Sequence, residues 1–420
     1  MTSTEAVVIV EALRKGTPPQ RGVEAYAVGN EKLVEGIQRH HLAGISDRGL
    51  IRFVSGSWGA GKTHFFRVLR ELAFGRNCLV SNVELDVNEA PLNKFERVFH
   101  AIVRSIQSPR QYRAGGIPDA EPFAEVLQEA LGFLAHGNHE LPSDLTFEVI
   151  STAKSKLAAD NSIDIDFKRL VERYWDTYLP EGGDTAALAT IRGDLMQWFA
   201  GEGTVGHYRK EFGINKMVAR ENAKLMLRSL AGFVRLVGYN GLLILFDEAE
   251  QSYSLMRKTQ LRDAQNNLLS LINGIEDLPG LFLIYATTPD FFTDPRHGIV
   301  VYGALAGRIG TPEDRPPRAL DKIWNLDAVQ QSLADYQLAS RKIRDIYTHA
   351  YADSSGKMPA DERLDELVKV LFENHPSMSG VRFWRVLVTA IILNLDDHME
   401  GDVRAPSKVY VDVMDRLRDA

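Results

Sequence analysis

The chain has one cysteine, Cys78, in 420 residues. That excludes an internal disulfide framework and fits a reducing compartment. It also has no long hydrophobic run. The apolar stretch at 242–246 is far too short to span a bilayer, and VVIV at 7–10 is followed at once by Glu11, Arg14 and Lys15, unlike an export signal. C-x-x-C pairs, H-E-x-x-H and histidine clusters are missing, so no structural zinc or catalytic transition metal is indicated. No hydrolase triad stands out. A large charge excess is missing too: a net charge of −7 gives no global nucleic-acid signature, so any such surface must be local. Internal repeats and low-complexity tracts are not evident. What remains is 45% hydrophobic and 25% charged, the balance of a globular protein expected in the cytoplasm, with no membrane role. The length exceeds that of a usual single core, so one large domain with insertions or two domains are expected.

What the chain does have is GSWGAGKT, Gly56 to Thr63, which fits G-x-x-x-x-G-K-[ST]. An apolar β-type segment, 50–55, precedes it. After it Phe65, Phe66, Leu69, Leu72 and Ala73 recur at helical spacing. Strand, glycine loop and helix together make a phosphate cradle. Glycines let successive N–H groups turn inward at the positive end of the helix dipole. Residues Gly56, Ser57, Trp58, Gly59, Ala60, Gly61, Lys62, Thr63 and His64 are therefore candidate nucleotide-binding residues. Lys62 would meet the phosphates and the Thr63 hydroxyl would ligate Mg²⁺.

Along the chain, 1–21 reads as a short helix and a loop, and 31–41 as a helix. Strand 50–55, helix 61–74, strand 78–85 and helix 94–106 follow. A Pro/Gly-rich loop then opens a section of helical character from about 122 to 236 that shows no convincing strand. The α/β pattern resumes with strand 241–247, helix 258–275, strand 281–286 and strand 322–326. Helices at 328–351, 362–373, 380–395 and 407–418 complete the chain. Strands alternating with helices argue for a parallel sheet in an α/β fold. Residues 1–327 are expected as the α/β core with a helical insertion at about 108–236, and 328–420 as a C-terminal helical lid.

Binding phosphate is not hydrolysis, and LLILFDEAE supplies further chemistry. Asp247 emerges at the carboxyl end of a buried strand, where ligands bind in open α/β sheets, and is placed to hold Mg²⁺. Glu248 beside it is placed to polarise an attacking water as general base. The next strand ends in Ala286-Thr287-Thr288-Pro289, so Thr288 or Thr287 is a candidate to orient that water; an ordinary strand terminator is the plainer alternative. Arg308, in YGALAGRIG, suits a residue pointing into a neighbour's nucleotide site, against the plainer reading of a surface arginine. Arg382, at the start of the 380–395 helix and off its apolar stripe, is a candidate to reach the γ-phosphate from the lid.

With these residues in hand, the chain resembles an AAA+ P-loop ATPase of the origin-recognition and initiator-like branch. It is more closely similar to the BREX phage-defence ATP-binding proteins. EALRKGTPPQRGVEAYAVGNEKL, GSWGAGKTHFFRVLRELA and ENAKLMLRSLAGFVRLVGYNGLLILFDEAE carry that likeness. It covers roughly 10–107 and 215–395, and 108–205 carries nothing that matches. The resemblance implies a strand order of 5-1-4-3-2, with ATP and Mg²⁺ as cofactors and Val28 and Gly29 facing the adenine. It also implies a homo-oligomer working with helicase- or methyltransferase-type defence proteins on DNA. Only about twenty-five residues follow the last lid helix, which leaves little room for the winged-helix DNA-binding domain of initiator-type relatives. A nucleotide-loaded switch or scaffold without turnover, and a DNA-loading ATPase of replication or transposition, are the rival functions.

One segment, 207–228, is locally basic, with six Lys/Arg against two Glu. Non-specific phosphate contact is one reading. A solvated helix face with local pairing of Glu221 and Lys224 is the other.

Overall fold

The strand segments pair into one sheet in a computed structural model that describes residues 1–114, 122–143, 145–179, 184–249, 255–354, 356–375 and 383–418. The strands are β1 (Leu50–Ser55), β2 (Cys78–Glu84), β3 (Ile106–Gln107), β4 (Gly241–Asp247), β5 (Leu281–Thr287) and β6 (Ile323–Asn325), in the order β3-β2-β4-β5-β1-β6. Neighbours are parallel throughout except β3, which runs antiparallel to β2. The five parallel strands, counted along the chain, therefore stand 5-1-4-3-2. The two-residue β3 was not legible in the sequence.

Both faces of this sheet are covered, which is why its strands read as continuous apolar runs rather than alternating ones. On one face Leu243, Leu245, Phe282, Ile284 and Val54 pack against Phe65, Phe66 and Leu69. Those three aromatic and aliphatic side chains belong to the helix that follows the glycine loop. On the other face Leu242, Ile244, Phe246, Leu283 and Tyr285 join a larger core built with the helical insertion. The period of two along β4 puts Asp247 on the same face as Leu243 and Leu245, the face of the loop helix.

The helices before the insertion are α1 (Ser3–Arg14), α2 (Glu31–Ile37), α3 (Lys62–Gly75) and α4 (Phe95–Ser105). The described insertion consists of α5 (Pro109–Ala114), α6 (Pro122–His136), α7 (Phe147–Ala159), α8 (Ile165–Asp176), α9 (Thr185–Ala200), α10 (Val205–Phe212) and α11 (Ala223–Leu236). Its two buried tryptophans are satisfied: Trp175 Nε1–H donates to Leu127 O at 2.8 Å and Trp198 Nε1–H to Lys216 O at 3.1 Å. Glu129 is enclosed with Tyr239 and Ser108 donating to it, and burial pushes its carboxyl above the ordinary range.

After β4 come α12 (Lys258–Gly274), α13 (Asp290–Thr293) and α14 (Gly303–Ile309). The C-terminal helices are α15 (Leu333–Ala350), α16 (Asp361–Asn374), α17 (Phe383–Glu400) and α18 (Pro406–Arg418). α1 belongs with them. Thr2 and Glu5 form a capping box at its start, and Ala6, Ile9, Val10 and Leu13 fall on one stripe. That stripe is buried against Ile343, Tyr347, Leu387 and Ile391. Arg14 Nη2 pairs with Asp396 Oδ1 at 2.7 Å, tying the first helix to α17. No helix among the described residues is long and apolar enough to cross a membrane.

Candidate nucleotide site

The loop between β1 and α3 folds as its glycines dictate. Gly59 and Gly61 have φ of +77° and +88°, a region side chains avoid. Gly56 is needed for another reason: a Cβ there would lie 2.9 Å from Ala60 Cβ. Lys62 heads α3 and is nearly enclosed, its ammonium donating to Gly56 O at 2.8 Å across the loop and standing 5.6 Å from the Trp58 ring. The first turn of α3 holds no acid of its own, which favours an anion at this positive helix end. Asp327, just after β6, pins the loop by accepting from Ser57 N–H at 2.8 Å and Ser57 Oγ at 2.7 Å.

Thr63 and Asp247 meet: Thr63 Oγ1 lies 3.3 Å from Asp247 Oδ2. The two oxygens are hard donors on one wall of a cleft, a set that suits Mg²⁺ held jointly with phosphate oxygens. Among the described residues no group of three or more His, Cys, Asp or Glu could hold a metal by itself. Glu248 follows with its N–H donating to Asp247 Oδ1 at 2.9 Å and with φ at +53°. A glutamate in that left-handed conformation is strained, and such outliers gather at functional sites. The turn ends β4 abruptly and sets Glu248 on the cleft wall with Lys62 and Thr63.

That cleft, of about 520 Å³, is closed by both ends of the chain: Leu13, Gly16, Thr17 and Pro18 on one side, Trp384, Arg385 and Val388 of α17 on another. Beside it lies a smaller slot of about 220 Å³ lined by Val28, Asn30, Phe65, Leu326, Val329, Tyr336, Phe383 and Trp384. Gly59, Gly61, His64 and Trp384 border both. The arrangement suits a ligand with an anionic end and a flat apolar end. Val28 is thus on the slot. Gly29, with φ of +82°, makes the turn after it and packs under Gln331, leaving no room for a side chain. His64 sits between Tyr26 and Trp384, at ring-centroid distances of 5.4 and 6.4 Å. Burial, with Arg67 nearby, pulls it down to about 4, so it is neutral at pH 7.

The remaining expected residues divide. Thr287 ends β5 beside the loop and Thr288 follows it. Thr287 pairs in register with Ser55, and its carbonyl accepts Gly56 N–H at 3.1 Å. Both threonines are buried and neither is on the cleft wall as described. Arg308 lies exposed on α14, away from this cleft, with its carbonyl accepting from Lys322 Nζ. Arg382 lies outside the described residues. The α17 arginine on the cleft wall is Arg385. It is three residues along the same helix pattern and equally off the apolar stripe, so the sequence held its signal. Tyr336, Trp384, Asn30 and Asp327 were not foreseen, because no local pattern marks a residue that reaches a site from a distant helix or turn.

The basic segment 207–228 spans α10, a loop and the start of α11. Lys216 pairs with Asp164 at 2.8 Å, Lys210 with Glu211 at 3.0 Å and Arg220 with Asp263 at 3.7 Å. Half of its cations therefore already face carboxylates, though not through the expected Glu221–Lys224 pair.

The family model of the BREX system ATP-binding protein BrxC/D matches residues 2–411. No curated protein and no solved structure matches the chain. The matched span includes the insertion, which by itself carried no resemblance, as well as both walls of the cleft. The chain belongs to the BREX system ATP-binding protein family BrxC/D.

Proposed function

We propose that the chain is an ATP hydrolase of AAA+ P-loop type, using Mg²⁺, that serves a bacterial anti-phage BREX system with partners of helicase or methyltransferase type acting on DNA. The observation that carries this reading is the meeting of Lys62, Thr63, Asp247 and Glu248 on one cleft beside an aromatic slot. Lys62 and the N–H groups of the loop hold the phosphates, and the slot from Val28 to Tyr336 holds the base. Thr63 and Asp247 hold Mg²⁺, which when bound neutralises charge on the phosphate oxygens. Glu248 accepts a proton from the attacking water, and Thr288, which lies behind the cleft wall just past β5, orients that water once ligand binding brings it to the site. Trp384 and Arg385 cover the site from the lid (328–420), excluding solvent, and Arg382 completes it there. Arg308 acts on the neighbouring copy in a homo-oligomer; its exposure on α14 is consistent with action in trans.

The test is ATP turnover by the wild type and Glu248→Gln, with and without duplex DNA, with oligomeric state followed by light scattering. Turnover by the wild type that rises with DNA or assembly, and a variant that binds ATP without hydrolysing it, are expected. A wild type that binds ATP yet turns it over no faster than the variant under every condition is a switch, and the hydrolase reading then fails. Reversing the charges of Arg209, Lys210, Lys224 and Arg228 in the same experiment tests whether the basic segment contributes to any DNA response.

A further inference from the structure

Asn30 stands at the N-cap of α2 and does not cap it: its side chain makes no hydrogen bond to the helix start. Asparagine is among the best N-cap residues because its carboxamide oxygen accepts one of the orphan N–H groups. Here the helix begins without that help, Val34 N–H donating to the Asn30 backbone carbonyl at 2.9 Å. The carboxamide oxygen Oδ1 is instead sealed from bulk water with no partner, on a residue that lines the aromatic slot. A buried acceptor left unpaired is costly and calls for a donor. The slot's carboxylate, Asp327, is occupied with Ser57, and the other walls near Asn30 are Val28, Phe65, Val329 and Tyr336.

We infer that Asn30 is the specificity-determining residue of the base slot: its Oδ1 accepts a hydrogen bond from the exocyclic amino group of adenine. The inference rests on the ATP reading of the cleft and adds the residue that selects the base. A 6-amino group is a donor and satisfies Oδ1. A 6-oxo group, as in hypoxanthine or guanine, turns a second acceptor toward it and leaves both unpaired in an apolar slot. Sites built to hydrogen-bond a ligand group reject analogues that break that pairing.

The experiment measures dissociation constants of ATP and inosine triphosphate, which differ at position 6 and in the proton that hypoxanthine carries on N1, for the full chain, Asn30→Ala, Asn30→Gly and Lys62→Ala. Wild type is expected to bind ATP at least about tenfold more tightly than inosine triphosphate. In Asn30→Ala the ratio should fall to about twofold, through weaker ATP binding alone, with the melting temperature of the ligand-free chain equal to wild type or higher, because the side chain does not cap α2 and its unpaired oxygen is gone. Asn30→Gly, well tolerated at an N-cap, should behave alike and stands in if the alanine variant is poorly folded. A wild type that does not discriminate, or asparagine variants that keep the wild-type ratio while still binding ATP, overturns the inference and leaves the ATP site standing. Binding of neither nucleotide by wild type, or binding that Lys62→Ala leaves unchanged, takes the ATP reading down with it.

Discussion

Changing Glu248 to glycine should make the protein inactive and more stable at once. The residue sits at φ +53°, where contact between Cβ and the following carbonyl costs a side-chain-bearing residue about 1–2 kcal/mol. Glycine removes that contact but gains freedom in the unfolded chain, returning roughly 0.5–1 kcal/mol. The net expectation is about 0.5–1 kcal/mol of added stability. Glu248→Gln keeps the strain and the shape, so its stability should stay within about 0.5 kcal/mol of wild type. Glu248→Val, β-branched in a left-handed conformation, should fall below both. All three remove the general base and should lower turnover by about a hundredfold or more while ATP still binds. Urea unfolding of the full chain, read at its first transition, gives the stability order, and phosphate release gives the rate. The reasoning is refuted in its structural half if glycine is no more stable than glutamine, and in its chemical half if any of the three hydrolyses ATP at the wild-type rate.

Lys62→Ala should abolish the thermal shift on adding ATP, because a ligand at about 100 times its Kd stabilises by roughly 2.7 kcal/mol and this variant loses that term; differential scanning fluorimetry reads it. Thr63→Ala should lose Mg²⁺-dependent turnover while Thr63→Ser keeps it, and a magnesium titration of both checks the hydroxyl's role. If Arg308 serves a neighbour, mixing inactive Arg308→Ala with inactive Lys62→Ala should restore part of the activity, since an intact loop then meets an intact arginine; a mixture as inactive as its parts would sink the assignment. Stability should also fall in acid. His41 is fully enclosed, its Nε2 2.6 Å from Ala319 O, and burial pulls it down to about 4. The unfolded chain takes up that proton near pH 6.5 and the folded chain does not until about 4. Its contribution is therefore complete above 6.5 and lost as pH falls through that window, by about 3 kcal/mol at most. Unfolding curves between pH 7.5 and 4.5 should show a shallower slope for His41→Phe.

What was legible in the sequence is what local chemistry determines. Strand 241–247 was bounded correctly at both ends, because an apolar run covered on two faces stops where Asp247 must leave the core. The loop Gly56–Thr63 is legible because positive φ and close approach demand glycine at fixed spacing. The misreadings occur where a distant partner decides. Helix α17 was expected to stop at 395, before the acidic pair at 396 and 397. It runs on to Glu400 because Arg14 and Tyr347 hold Asp396 while Arg404 holds Asp397. Helix 31–41 gives way after Ile37 to a wider turn that ends at Leu42 and carries the buried His41, whose ring packs near Phe282 and Trp324. The start of α15 is a different case: Ser332 and Asp335 form a capping box that marks residue 333 in the sequence itself.

The same division separates the two halves of the site. Lys62 and Thr63 open the helix after a glycine loop of fixed spacing, and Asp247 and Glu248 stand where the apolar run of β4 gives way to charge, so both pairs are visible in sequence. The aromatic slot and the α17 side of the cleft have no such marker, because they gather residues far apart in the chain, from Val28 and Asn30 to Tyr336 and Trp384. Leu13 of α1 and Val388 of α17 belong to the helical core and also line the cleft, with Gly16 and Arg385 beside them. Residues 13–18 and 384–388 thus close the cleft from two sides, joined by the Arg14–Asp396 pair. A ligand seated on the loop would therefore meet the turn after α1 and the start of α17 as well as Lys62 and Thr63.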